Sequence, residues 1–305
     1  MEHQHAAARC AHHGPREYDR AFALAIGLNL AFVGVEAVCW ILGQSLALVA
    51  DAGHNLSDVL GLVVAWVASW LCRRGPSAQR TYGLGRSSIL ASLFNSLLLL
   101  LVAGAIALEA AQRFREPRPV ATGLVLLVAA IGIGINTATA VLFLRGRKTD
   151  LNIRGAFLHM AADAAVSVCL LVSALVIRAT SWQWVDPALS LGIVLVIVAG
   201  TWRLFRESLD LALDAIPRGI DRAAVERFLA EAPGVAAVHD LHIWGLSTTR
   251  IALTAHLVKP DAGPDDDFLA ELSAALHERF GIGHVTIQVE RCPDNSCTLA
   301  PADVI

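Results

Sequence analysis

A chain of 305 residues is long enough for two soluble domains, but 55% hydrophobic and only 17% charged residues exclude a wholly soluble reading. Residues 1–209 carry 17 Lys and Arg against 12 Asp and Glu, whereas 210–305 carry 7 against 15, so an apolar body precedes an acidic soluble one. A net charge of −3 without a long basic run excludes the electrostatic footprint of a nucleic-acid-binding protein.

The first 14 residues are polar and hold His3, His5, Cys10, His12 and His13. They lead into a full-length apolar run rather than a short one with a small-residue cleavage site, so the first segment is expected to remain as an anchor. A helix crossing the hydrocarbon needs about 20 apolar residues. Six stretches qualify: 21–42, 46–71, 88–110, 120–144, 153–177 and 185–204. Arg73, Arg74, Arg80 and Arg86 follow the second, and Arg145, Arg147, Lys148 and Arg154 surround the connection after the fourth. With Arg9, Arg16 and Arg20 they outnumber Arg113, Arg115, Arg118 and Arg178 on the other side, which places both termini in the cytosol.

After Arg206 the pattern becomes that of a small globular unit: a helix over 221–231, strands over 235–246 and 250–258, a helix over 265–280 and a strand over 284–290. The expected fold class is therefore an α-helical membrane protein with six transmembrane helices, plus a C-terminal cytosolic α+β domain. Its αββαβ order resembles a ferredoxin-like unit lacking the first strand. The six cysteines are spread too thinly for a secreted disulfide framework.

Ionisable groups deep in a spanning helix cost several kcal/mol, so each calls for a function. The second stretch contains Asp-Ala-Gly-His-Asn-Leu-Ser-Asp at 51–58, in which His54 and Asp58 are four apart and share a helix face. His159 and Asp163 in the fifth stretch repeat the spacing. If the two helices face each other, two imidazoles and two carboxylates supply a tetrahedral set for Zn²⁺. The plainer alternative is two private hydrogen-bonded pairs that glue helices together. Two ionised aspartates with neutral histidines leave the empty site at −2, and either one divalent cation or two protons neutralises it, so the same residues can exchange metal for protons. Equal nitrogen and oxygen donors suit Zn²⁺, with Cd²⁺, Co²⁺ or Ni²⁺ as alternatives, better than Mg²⁺ or Ca²⁺. Asp51, Glu36 and Asn136 are further polar groups for which packing or helix-end solvation is the simpler reading.

With these residues in view, the chain resembles the cation diffusion facilitators, the zinc-transporter family, from about Tyr18 to Cys297. The resemblance rests on Ala-Asp-Ala-Gly-His-Asn-Leu-Ser-Asp at 50–58, Arg-Thr-Tyr-Gly-Leu-Gly-Arg at 80–86, the His159/Asp163 pair, His-Asp-Leu-His-Ile-Trp at 239–244 and His-Val-Thr-Ile-Gln-Val-Glu at 284–290. It implies a homodimer with six helices per chain that moves divalent metal out of the cytosol in exchange for protons, with His54, Asp58, His159 and Asp163 as the transport site. Histidine at both first positions tilts the cargo towards zinc. The resemblance also implies a second metal site in the soluble domain from His239, His256, His284 and Glu290, for which ordinary exposed strand histidines are the bland alternative, and His242 is a possible neighbour. The implied organisation is a His-rich cytosolic tail over 1–17, a transmembrane domain over 18–208, a cytosolic metal-binding and dimerisation domain over 209–292 and a tail over 293–305. The expected location is the cell's inner (plasma) membrane, crossed several times, with lipid, metal ions and protons as partners.

Cys292 and Cys297 frame a C-x4-C run that can bind metal or simply be two reduced thiols, and the N-terminal histidines carry the same two readings. An intramembrane metalloenzyme is disfavoured, since there is no His-Glu-x-x-His motif and four protein ligands leave no position for an activated water. A metal sensor without flux is the remaining competitor.

Overall fold

The computed structural model of the chain describes residues 16–43, 46–116, 123–180, 182, 184–260 and 266–291. The N-terminal histidines, Cys292 and Cys297 lie outside these, as do the side chains of Glu36, Asp51 and His54.

Each apolar stretch forms a helix, and all but the fourth outrun their apolar run: α1 (Arg16–Gly43), α2 (Leu46–Cys72), α3 (Ser87–Arg115), α4 (Gly123–Phe143), α5 (Leu151–Thr180) and α6 (Val185–Ala212). The extensions are polar turns, such as the Glu109 to Arg115 end of α3, whose backbone ladder continues after the apolar composition ends. Among the described residues, three helical stretches are long and apolar enough to cross a membrane on those grounds alone, at Tyr18–Val35, Ser87–Arg115 and Pro187–Ala212, with shorter apolar stretches at Asp58–Cys72 and Ala129–Phe143. Helix α5 carries Asn152, Arg154, His159 and Asp163 in its first half.

Large apolar side chains face outward. Leu101, Leu195 and Val196 are 71–72% exposed, an arrangement water would penalise and lipid accepts. Inside, α3 packs on α6, α4 on α5 and α1 on α2. Phe22 and Phe143 meet with ring centroids 5.0 Å apart over Leu62, Ile153 and Met160. Asn152 Nδ2 donates to the Ala65 carbonyl at 2.8 Å, which pins α5 to α2 by a bond that hydrocarbon cannot compete for.

The soluble part follows as α7 (Arg222–Ala230), β1 (Ala237–Gly245), β2 (Ile251–Val258), α8 (Asp266–Phe280) and β3 (His284–Glu290), in the expected αββαβ order. Asp221 caps α7 by accepting from the Ala223 amide at 3.0 Å, so the helix starts one residue later than the acidic signal suggests. The sheet order is β1-β2-β3, with β1 antiparallel and β3 parallel to β2. Val225, Leu229, Leu253, Leu257 and Leu276 close a core between the sheet and the two helices.

The β1–β2 turn docks this unit onto the helices. The Thr248 amide donates to Ser88 Oγ at 3.2 Å, and its hydroxyl donates to Asp150 Oδ1 at 3.0 Å. Gly85 lies so close that a Cβ there would fall 2.5 Å from the Leu246 carbonyl oxygen. Arg86 pairs with Asp214 at the same junction.

Candidate metal centres

Asp58 on α2 and His159 and Asp163 on α5 converge. Asp58 Oδ1 lies 2.9 Å from His159 Nε2, and Asp163 Oδ2 lies 3.8 Å from the same nitrogen. Their relative exposures are 2%, 4% and 7%, so the cluster is closed to bulk water. One ligand atom from each lies within 4.8 Å of the others. Ligands about 2.05 Å from a tetrahedral zinc sit about 3.4 Å apart, and the two measured separations bracket that value. The Asp58–His159 contact therefore joins α2 to α5, which a private pair within one helix would not do. In the α2 backbone His54 stands one turn before Asp58, but its side chain is outside the described residues. Asn136 on α4 is buried, and its Oδ1 has no hydrogen-bond partner among the described residues.

A second cluster forms on one face of the sheet. His239 on β1 pairs in register with His256 on β2, and their rings meet edge to face with centroids 5.1 Å apart. Glu290 on β3 pairs with Val258, two residues beyond His256 and hence on the same face. Its carboxylate lies 2.9 Å from His256 Nδ1 and 3.4 Å from His239 Nε2. His239 Nε2 is buried and makes no hydrogen bond among the described residues, although an imidazole nitrogen in such a place ordinarily finds a partner. Two imidazoles and a carboxylate with a nitrogen to spare fit a divalent cation of the zinc type.

His284 does not join them. It pairs with Ala252 at the opposite end of β3 from Glu290, six residues or about 20 Å of strand away, and its ring packs edge to face on Tyr82 of the α2–α3 loop at 5.3 Å. His242 is exposed and bonds Asp240 at 2.8 Å instead of facing the cluster. The residue that sequence reasoning missed is Asp240. A bulge between His239 and His242 puts Asp240 at φ +51° and brings its Oδ2 to 3.4 Å from His256 Nε2. Both nitrogens of His256 thus face carboxylates. Only the adjacency of Asp240 to His239 hinted at this, because strand alternation places it on the other face.

Asp150, just before α5, is half-buried against the soluble domain, and desolvation there holds its carboxyl above the ordinary carboxylate range despite hydrogen bonds from the Asn152 and Ile153 amides and Thr248.

A family model described as the cation efflux transmembrane domain matches residues 22–211, and one described as the cation efflux protein, cytoplasmic domain, matches 217–292. Among curated proteins, the metal cation efflux system protein CzcD of Cupriavidus metallidurans is 37% identical over 92% of this chain and 90% of its own length. The zinc transporter ZitB of Escherichia coli is 34% identical over 96% and 94%. The cadmium, cobalt and zinc/H(+)-K(+) antiporter of Bacillus subtilis is 34% identical over 84% of each chain. Among solved structures, the metal-bound C-terminal domain of the CzcD transporter from Cupriavidus metallidurans is 43% identical over 23% of this chain and 99% of that one, with a TM-score of 0.22.

Proposed function

The chain belongs to the cation efflux family, whose members are transporters and not enzymes, and from that premise we propose that it exports Zn²⁺ from the cytosol in exchange for protons. The observation that carries the reading is the buried cluster of Asp58, His159 and Asp163, which joins two helices and has separations that suit a tetrahedral ion. His54, one turn before Asp58 on α2, is the proposed fourth ligand. Nitrogen and oxygen donors in equal number favour zinc, while the names of the relatives extend to cadmium and cobalt.

Charge drives the exchange. With both carboxylates ionised the empty site holds two negative charges in a medium that tolerates none, so release of the metal at one face requires proton uptake before the helices return. Binding at the other face displaces those protons, because imidazole nitrogens and carboxylate oxygens ligate only when deprotonated. Cargo and counter-cargo alternate at one place, and no second pathway is needed.

In this reading all six long helices span the inner membrane and both termini lie in the cytosol, where the soluble domain rests on the helix ends. Its His239, His256 and Glu290 hold a further metal ion, with Asp240 beside His256. The domain is of the family's cytoplasmic type, which supports assembly as a homodimer in which metal offsets the acidic charge of the paired domains.

Sealed vesicles holding the purified full chain and a zinc-sensitive dye test this. An imposed pH gradient is expected to drive zinc movement, and Asp163→Ala is expected to stop it. Zinc flux in the native chain that ignores the proton gradient contradicts exchange, and unchanged flux in Asp163→Ala contradicts the assigned site.

A further inference from the structure

Asp240 sits where a strand least expects it. Its φ of +51° is one of two positive values outside glycine among the described residues, and it forms the bulge between His239 and His242 on β1. The left-handed region strains residues with a Cβ, aspartate less than most. In a regular strand His239 and Leu241 would share a face. The extra residue lets Leu241 and Ile243 enter the core of the soluble domain while His239 keeps its place against His256. Glycine would make the same bulge with less strain, so the carboxylate is the feature left to explain.

That carboxylate stands between two imidazoles. Oδ1 lies 2.8 Å from His242 Nε2, and Oδ2 lies 3.4 Å from His256 Nε2. The His242 side chain is 47% exposed, against 14% for Asp240 and 12% for His256, so the first contact steadies the carboxylate from the solvent side and the second reaches inward. The other nitrogen of His256 has different company. Nδ1 lies 2.9 Å from Glu290 Oε1, and Glu290 Oε2 lies 3.4 Å from His239 Nε2. Ligand atoms of His239, His256 and Glu290 fall within 4.8 Å of one another, and Asp240 is not part of that set. One edge of the His256 ring thus faces a group of ligands and the opposite edge faces a single carboxylate.

We propose that Asp240 is a positioning residue for the sheet cluster: it accepts the Nε2–H of His256 and leaves Nδ1 as the nitrogen that ligates a divalent cation together with His239 and Glu290, while His242 anchors Asp240 in place. The assignment rests on the metal reading of this cluster given above and adds two residues to it. A histidine that ligates metal through one nitrogen ordinarily passes its other N–H to a carboxylate or carbonyl, which fixes the tautomer and the ring orientation and makes the ligating nitrogen more basic. Here the bulge supplies that acceptor from the neighbouring strand, and the strained backbone of Asp240 is what aims it.

The test uses the full chain carrying Asp163→Asn, so that zinc binding at the sheet cluster is read alone. Asp240→Gly removes the carboxylate without straining the bulge and is expected to weaken zinc binding about 10- to 100-fold in a titration, with thermal unfolding before zinc is added unchanged. Asp240→Asn keeps an oxygen that accepts the Nε2–H and should bind within about threefold of the parent. His242→Ala should fall between the two. With ¹⁵N-labelled histidine, the ring signals lost in His256→Ala should show zinc on Nδ1 and the proton on Nε2 in the parent and in Asp240→Asn. Parental affinity in Asp240→Gly, zinc on Nε2 of His256, or an equal loss of affinity in the Gly and Asn variants overturns the assignment. A parent that binds no zinc at the sheet cluster overturns the metal reading as well, so the two failures are distinguishable.

Discussion

The two carboxylates of the proposed transport site offer a quantitative test in the absence of any cargo. Ligand atoms of Asp58, His159 and Asp163 lie within 4.8 Å of one another. Two unit charges 4.8 Å apart at an effective dielectric constant of about 20 repel by about 3.5 kcal/mol, and closer approach raises the figure. Asp163→Asn removes one charge while keeping the shape of the side chain. In a parent chain that carries His239→Ala and His256→Ala, so that the sheet cluster is silent, the metal-free Asp163→Asn variant at pH 8 is therefore expected to be about 2–4 kcal/mol more stable towards denaturant. Zinc at a hundredfold excess over its dissociation constant adds about 2.7 kcal/mol to the parent, and should add almost nothing to the variant. A zinc-free variant no more stable than its parent, or one that zinc still stabilises by the parent's margin, would falsify the idea of a site kept under charge strain for its ion.

Further expectations follow from the sheet cluster and the junction. With the transport site silenced by Asp163→Asn, His256→Ala should weaken zinc binding to the soluble domain at least about 100-fold in a titration, since both nitrogens of His256 face carboxylates; undiminished binding refutes the cluster as a metal site. Burial holds the Asp150 carboxyl above its ordinary value of 3.8, so the folded chain keeps this proton to higher pH than the unfolded chain does. The resulting stability is present below 3.8 and is lost as pH rises through the raised folded value. Asp150→Asn keeps the acceptor oxygen for the Asn152 amide and Thr248 and should melt higher than the native chain at pH 7.5, with the gap closing as pH falls towards 4; a gap independent of pH contradicts the assignment. Gly85→Ala drives a methyl to 2.5 Å from the Leu246 carbonyl oxygen and should cost about 1–3 kcal/mol, seen as faster amide exchange at residues 247–250. Native exchange there would show that the turn does not depend on this contact.

Much of the fold was legible because periodicity reports it directly. The spacing of His159 and Asp163 places both on one face of α5 whatever surrounds it, and the change of composition after Arg206 marks the soluble unit. The convergence of α2 and α5 was only an inference from duplicated motifs, and the Asp58–His159 contact supplies what local spacing cannot. In the sheet, register decides. Glu290 reaches the histidines because parallel pairing sets Gln288 opposite His256, whereas the same pairing sends His284 to the far end of the strand. Asp240 depends on a bulge and a positive φ, neither of which its short, common residue pattern announces.

The shared ion can be observed by X-ray absorption at the zinc edge, on the full chain with His239→Ala and His256→Ala loaded with one equivalent of zinc. Four nitrogen or oxygen neighbours at about 2.0–2.1 Å, with the outer scattering of two imidazoles, are the expected signature of His54, Asp58, His159 and Asp163 around one ion. A six-oxygen shell, a single imidazole, or no retained zinc would contradict it.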